Sequence, residues 1–393
     1  MSQARARVTN GCLLLAAAWL TLAASPGPAA RAADGQNTVM TDLPLRTPLV
    51  IAHRGASGYR PEHTLESYRL AIEMGADFIE PDLVSTRDGR LVARHEPDIT
   101  ETTDVAQRPE FAARRRMARL DGIEHVGWFT VDFTLEELRT LRAVQPRPGR
   151  SKEFDGLFQI PTLEEIIALA RSASAAGGRT IGIYPETKHP TWHCEQGLPL
   201  EPALLAALAE AGWTSREAPV FIQSFESGNL RWLRGQTGVR LVQLVSGGDL
   251  DADGRVQPPD RWSSAGGCTR YPQGDLPTDF TQAASFAQIA AYADAVGPWK
   301  RHIIGTRRDA AGAATDKTER TRLTTAPTRF VELAHAAGLA VHPWTFRDEP
   351  QHLAADYAGD PTAEYRQFAA LGVDALFSDF PDTAVRALRD AAR

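Results

Sequence analysis

Four short apolar runs end in residues that can do chemistry. PLVIA (48–52) leads into His53-Arg54-Gly55, and DFIEPDLV (77–84) carries Glu80-Pro81-Asp82. RLVARH (90–95) ends at His95-Glu96, and RTIGIYPE (179–186) runs into Glu186-Thr187-Lys188. Side chains two apart in a strand point the same way, so Glu80 and Asp82 share a face. Two carboxylates on a buried face repel each other and lose hydration unless a cation, basic partners or a proton neutralises them. With Glu186 as a third oxygen ligand, the set suits one hard divalent ion, calcium or magnesium, rather than zinc. The plainer alternative for Glu80 and Asp82 is a salt bridge to Arg54 or Lys188. Two histidines and a third carboxylate at neighbouring strand ends favour the metal. His53 and His95 beside such an ion suit an acid and a base near neutral pH. Arg54 and Lys188 suit phosphate oxygens. The constellation points to metal-assisted phosphoryl chemistry. No GxxxxGK[ST] loop and no G-x-S-x-G elbow is present, which argues against a P-loop nucleotide hydrolase and a serine hydrolase.

These residues need elements that carry them to one place. Further apolar runs are PVFIQSF (219–225), VRLVQLV (239–245), ADAVG (293–297), LAVHPWTF (339–346) and VDALFSD (373–379). Helical periodicity falls at 64–74, 134–142, 162–173, 200–211, 227–234, 326–337 and 382–391. Thr134-x-x-Glu137 and Thr162-x-x-Glu165 read as capping boxes. Strands alternating with helices predict a parallel α/β fold: a closed eight-stranded barrel first, a doubly wound open sheet second. Active sites of parallel barrels lie at the carboxyl ends of the strands, where these residues fall. The nine candidate strands are one too many, and ADAVG is the weakest. The link Ser85–Gly89 is too short for a helical crossover, so the barrel must be irregular between its second and third strands. Pro81 cannot donate to a ladder, so its strand must lack a partner there. Residues 97–158 break the rhythm and read as a small insertion over one end of the barrel. Within them, Arg114-Arg115-Arg116 reads as a solvated helix face.

The 393 residues have a hydrophobic content of 43%, a charged content of 23% and a formal net charge of -6. This composition is globular, and the acidic balance argues against general nucleic-acid binding. At the N-terminus, Arg5 and Arg7 precede the apolar run 11–24, and Ala30-Arg31-Ala32 fits a cleavage site. Residues 1–32 are therefore expected to be an export signal, 33–47 a loose leader and 48–393 the barrel. Export to a periplasm or beyond follows, without stable membrane insertion once the signal is removed. Cys194 and Cys268 can then form one disulfide or remain two free thiols. The oligomeric state is left open.

The stretches IAHRGASGYRPEHT (51–64), GADFIEPDLVSTRDGRLVARHE (75–96), YPETKHP (184–190), QSFE (223–226), HPWTF (342–346) and GVDALFSDFPD (372–382) run through nearly the whole mature chain. In this order they resemble the glycerophosphodiester phosphodiesterase family, in particular its exported bacterial branch. The resemblance implies an irregular TIM (β/α)8 barrel with a small inserted subdomain. It implies Glu80, Asp82 and Glu186 as metal ligands, with calcium usual in the exported branch and magnesium in others. It implies His53 and His95 as acid and base, and Arg54 with Lys188 near phosphate. Phe225 and Trp344 would line the wall facing glycerol, unless they are plain core. Glu62 and His63 would brace the first loop, with Glu62 pairing Arg54. The implied substrate is a small glycerophosphodiester, cleaved to sn-glycerol 3-phosphate and an alcohol. Lysophospholipid, phosphoinositide or teichoic-acid glycerophosphate are alternatives on the same barrel. A non-catalytic binding protein would be expected to have lost a ligand or a histidine, and all are present. The chain departs from the family pattern at Glu96, where Asp is usual, at Ser378, where Thr is usual, and at Pro81.

Overall fold

Two prolines decide how the sheet is built. In the computed structural model, which describes residues 48–247, 256, 268–272, 275–308, 321–324 and 326–391, the first strand is β1 (Leu49–His53). The expected export signal and leader lie outside the described residues. After the helix α1 (Leu65–Glu73), β2 (Phe78–Glu80) pairs parallel with β1, setting His53 opposite Glu80. Pro81 then interrupts the ladder, and the chain resumes as β3 (Asp82–Ser85). β4 (Leu91–Ala93) turns back antiparallel on β3, because the link closes in a tight turn. The Thr86 amide donates to the Arg90 carbonyl at 2.9 Å, and Gly89 takes φ +74.

The chain next makes a hairpin of β5 (Arg116–Leu120) and β6 (Ile123–Gly127) and a short helix α2 (Leu135–Leu138). α3 (Leu163–Gly177) leads to β7 (Gly182–Ile183) and β8 (Glu186–Thr187), separated at Tyr184-Pro185. β7 pairs with β2, and β8 pairs with β3. The second and third staves thus break in step, each at a residue without an amide proton. The ring continues through β9 (Phe221–Ser224), β10 (Arg240–Val245) and β11 (Ala295–Pro298). A side pair, β12 (Thr306–Arg308) and β13 (Thr321–Leu323), lies apart from the ring. β14 (Ala340–Val341) and β15 (Ala375–Ser378) complete it. β15 pairs parallel with β1, and Phe346 bridges Ser378. The result is an eight-staved irregular TIM barrel.

The extra strand is therefore RLVARH, the return arm of the hairpin, and not ADAVG, which forms β11. Both capping boxes are present, at Thr134 and Thr162. The helices expected over 134–142 and 326–337 shorten to α2 and to Phe330–Ala336. Of the arginine run, Arg114 ends a short 3-10 helix, Pro109–Arg114, and Arg116 begins β5, with Arg114 on Glu137 and Arg116 on Asp132. Trp128 and Phe129 are buried. Val105, Phe111, Trp128, Phe133 and Leu138 cluster with Val84 and Val92 of the β3–β4 hairpin, which anchors this region. Cys194 and Cys268 form a disulfide, with a Cα separation of 5.8 Å. Among the described residues no helix is long and apolar enough to cross a membrane.

The barrel interior follows the period of two. Phe78, Tyr184, Phe221, His342 and Phe377 meet as an aromatic layer, with Tyr184 5.1 Å from Phe221 and 5.0 Å from Phe377 between ring centroids. Two residues further along the same strands come Glu80, Glu186, Gln223, Trp344 and Asp379. The apolar layer closes the barrel beneath, and the polar layer opens above it. Gly182 makes room for this floor, since a Cβ there would lie 2.1 Å from the Phe78 ring. Gly182→Ala should destabilise the barrel by about 1–3 kcal/mol through overpacking, with Phe78→Leu in the same chain restoring part of the loss. Chemical denaturation of the single and double variants measures both.

Candidate active site

The site is built at the carboxyl ends of the staves. His53 closes β1, and Arg54 follows with φ +61. This left-handed turn lets the Arg54 amide donate to Glu80 Oε2 at 2.7 Å. Its guanidinium reaches Glu62 at 3.1 Å and lies 3.5 Å from Asp82. His63, also left-handed, places Nε2 2.9 Å from Asp82 Oδ2. The loop residues expected to brace the site thus do so through Arg54 and Asp82.

Ligand oxygens of Glu80, Asp82 and Glu186 lie within 4.8 Å of one another, and all three side chains are buried. The register sets this up, with Asp82 directly opposite Glu186. Glu80 Oε1 accepts from Gln223 at 2.9 Å, and Glu186 Oε1 lies 3.1 Å from Lys188 Nζ. Asp82 Oδ1 is buried with no hydrogen-bond partner. Burial, together with Asp82 and Glu186, pushes the Glu80 carboxyl well above its usual range. Burial and Asp82 push Glu186 up to about 8 despite Lys188. Asp82 moves well below its usual range: burial opposes this, but the His63 bond and nearby cations prevail. An orphaned buried oxygen, an all-oxygen donor set and mutual repulsion fit a hard divalent cation.

The two histidines line the same cavity. His53 Nδ1 lies 2.6 Å from Asp379 Oδ1. Burial opposes ionisation of Asp379, but Arg347, His53 and Arg150 hold it well below the usual carboxylate range. An ionised carboxylate only accepts, so His53 Nδ1 carries the proton and Nε2 offers a lone pair. His95 is built likewise, with Nδ1 2.9 Å from Glu96 Oε1 and Nε2 3.4 Å from Lys188 Nζ. Burial, then Arg54, lowers His53 to about 3. Burial, then Arg54 and Lys188, lowers His95 to about 4. Both imidazoles are neutral at physiological pH.

The cavity is lined by all nine residues singled out from the sequence: His53, Arg54, Glu80, Asp82, His95, Glu186, Lys188, Phe225 and Trp344. Phe225 and Trp344 meet edge to face at 5.8 Å and form one wall. His95 arrives from the antiparallel return strand rather than from a parallel stave. Sequence reasoning missed Asp379 and Glu96 as partners of the histidines, and Gln223 and Arg347 as lining residues. For Asp379 a signal existed. In a closed barrel the eighth strand neighbours the first, so a carboxylate ending the last strand falls beside His53.

A family model described as the glycerophosphoryl diester phosphodiesterase family matches residues 53–383. The chain is 36% identical over 355 residues to glycerophosphodiester phosphodiesterase GDPD6 of Arabidopsis thaliana, covering 86% of each. It is 28% identical over 359 residues to a glycerophosphodiester phosphodiesterase of Haemophilus influenzae, covering 87% of this chain and 90% of that one. Among solved structures it resembles a phosphodiesterase of Oleispira antarctica in complex with the product sn-glycerol-3-phosphate. That likeness has a TM-score of 0.51 at 20% identity and covers 87% of this chain and 97% of the other. A glycerophosphodiester phosphodiesterase from Agrobacterium tumefaciens matches with a TM-score of 0.50 at 17% identity, covering 86% and 99%. These two likenesses show the fold. The family match, which runs from His53 past Asp379, shows that the chain belongs to the glycerophosphodiester phosphodiesterase family of phosphoric diester hydrolases.

Proposed function

We propose that this enzyme hydrolyses glycerophosphodiesters, the deacylated phospholipids, to sn-glycerol 3-phosphate and an alcohol. The reading assigns it one divalent cation, calcium before magnesium, on Glu80, Asp82 and Glu186. The observation that carries it is the convergence of two neutral, carboxylate-oriented imidazoles on the cavity that holds the acidic triad. The product-bound relative from Oleispira antarctica supports the substrate class.

The residues divide the work. Arg54 and Lys188 meet the phosphate, and Phe225 with Trp344 packs against the glycerol carbons. One imidazole takes the proton of the glycerol 2-hydroxyl as that oxygen attacks phosphorus. The other gives a proton to the departing alkoxide. A cyclic phosphate results, and water opens it with the two roles exchanged. Either Nε2 meets the requirement for either role. The negative charge of a bound phosphodiester raises both imidazoles from their low resting values, so one can hold the proton it must donate. A divalent cation on the triad supplies charge stabilisation at the phosphoryl oxygens.

The enzyme is also read as exported. The support is the Arg5 and Arg7 flank, the apolar run 11–24 and the disulfide between Cys194 and Cys268, which suits an oxidising compartment. A lysophospholipid is the second reading for the substrate. Met117, Ile123 and Val126 on the β5–β6 hairpin are exposed at 60%, 65% and 52%. The tip of that hairpin reaches the site through Asp121 and His189. Release of the head-group alcohol, choline from glycerophosphocholine and lysophosphatidylcholine and inositol from glycerophosphoinositol, separates the two, the first reading requiring the deacylated substrates to be faster.

Two experiments test the chemistry. His53→Ala and His95→Ala should each lower kcat by roughly 10²–10⁴, with calcium binding by titration calorimetry retained. Wild-type turnover in either would refute that assignment. EDTA should abolish hydrolysis and calcium should restore it. Asp82→Asn should weaken calcium binding roughly tenfold or more, as removal of a charged ligand does. Full activity after exhaustive chelation would remove the metal from the reading.

A further inference from the structure

β5 and β6 join through Asp121 and Gly122, both left-handed, at φ +47 and +83. This is the two-residue turn that suits a twisted hairpin. Its tip is not free. Asp121 Oδ2 lies 2.7 Å from His189 Nδ1, and His189 Nε2 lies 2.7 Å from Glu96 Oε2. The other oxygen of Glu96 lies 2.9 Å from His95 Nδ1. A continuous chain thus runs from the inserted hairpin to a histidine of the active site. His189 itself is left-handed, at φ +43 and ψ +52. A non-glycine residue held there costs conformational energy, which its surroundings must supply.

With a carboxylate on each ring nitrogen, both nitrogens of His189 donate, and the ring is a cation. Burial opposes the charge, yet the bonds to Asp121 and Glu96 push His189 up to about 9. The other groups facing it are Glu226, beyond β9, and His193, on the helix Pro190–Glu195. Lys188 acts on Glu96 from the other side.

We infer that His189, seated by Asp121 of the inserted hairpin, is a positioning residue for His95: it clamps Glu96, which fixes the His95 ring with Nε2 toward the cavity. This rests on the reading of His95 as an acid or base. The hairpin is then a working part of the site, and the reaction senses whether its tip is docked. The arrangement also gives Glu96, the family departure noted in the sequence, a reason for its length. One carboxylate spans two imidazoles.

The test is steady-state kinetics of the full-length, calcium-loaded enzyme on glycerophosphocholine. His189→Ala should lower kcat roughly tenfold to a hundredfold, a part of what acid–base catalysis supplies, with KM changed less than about twofold. Asp121→Asn keeps the turn, because Asn tolerates the left-handed region. It removes one of the two charges that sustain the imidazolium. The alkaline limb of the kcat profile should therefore shift to lower pH in Asp121→Asn. Wild-type kcat in His189→Ala, or an unmoved limb in Asp121→Asn, overturns the inference. If His189→Ala does not fold, the limb of Asp121→Asn decides alone. If His95→Ala retains wild-type turnover, it is the catalytic reading of His95 that fails. If His95→Ala is inactive while His189→Ala is normal, the clamp alone fails.

Discussion

Glu80, Asp82 and Glu186 bring oxygens within 4.8 Å of one another at a depth that little water reaches. Two unit charges at that spacing repel by about 3–4 kcal/mol at an effective dielectric constant of about 20. The neighbours offset only part of this. Arg54 gives an amide to Glu80 and its guanidinium to Glu62 and Asp82, Lys188 sits on Glu186, and Gln223 bonds Glu80. Glu80 and Glu186 nevertheless remain pushed toward the protonated form while Asp82 is held ionised. A divalent cation would resolve this conflict, and the surrounding geometry fits one. Arg54 and His63 take left-handed conformations that a side chain ordinarily avoids, at about 1–3 kcal/mol each. Both direct donors at the triad.

The two histidines obey a second rule. A bare carboxylate behind an imidazole raises its pKa and would keep it charged. Here each carboxylate is itself shared with cations. Asp379 also takes Arg150 at 2.5 Å and Arg347 at 2.9 Å, and Glu96 takes His189. Each carboxylate fixes the tautomer and the ring plane, while burial first, and then Arg54, keeps the second proton off the ring. Both imidazoles stay neutral, at about 3 and about 4, with the same nitrogen turned to the cavity.

Most of the site was legible in the sequence because strand alternation is strict. Glu80-x-Asp82 and Glu186-x-Lys188 each put two polar groups on one face, two residues beyond an inward aromatic. That holds wherever the strands pair. The short link after Ser85 also foretold the irregularity beside β3. Which strand leaves the ring was not legible. RLVARH and ADAVG are both short apolar runs, and only the Thr86–Arg90 turn makes the first a return arm. The partners of the histidines were not legible from local pattern, although barrel closure did signal Asp379. His53 and Asp379 meet through closure of the barrel, 326 residues apart. His189 and Asp121 meet because an insertion folds back, which no local pattern encodes. The arginine run was legible only in part, because the partners of Arg114 and Arg116 are Glu137, in α2, and Asp132, in the turn ahead of it.

The segment between β4 and α3 changes character once these contacts are seen together. Arg150, at its far end, bonds Asp379 and the Ser57 carbonyl, so it supports the carboxylate behind His53. Asp121, at the hairpin tip, holds the residue that grips the carboxylate behind His95. That one segment thus braces both imidazoles, through Asp379 for His53 and through His189 and Glu96 for His95. A barrel alone could not do this. Its strand ends fix where a side chain starts, whereas the orientation of a ring at the rim depends on what packs over it. Splitting the bracing between two points of one segment means that a displacement of that segment acts on both imidazoles together.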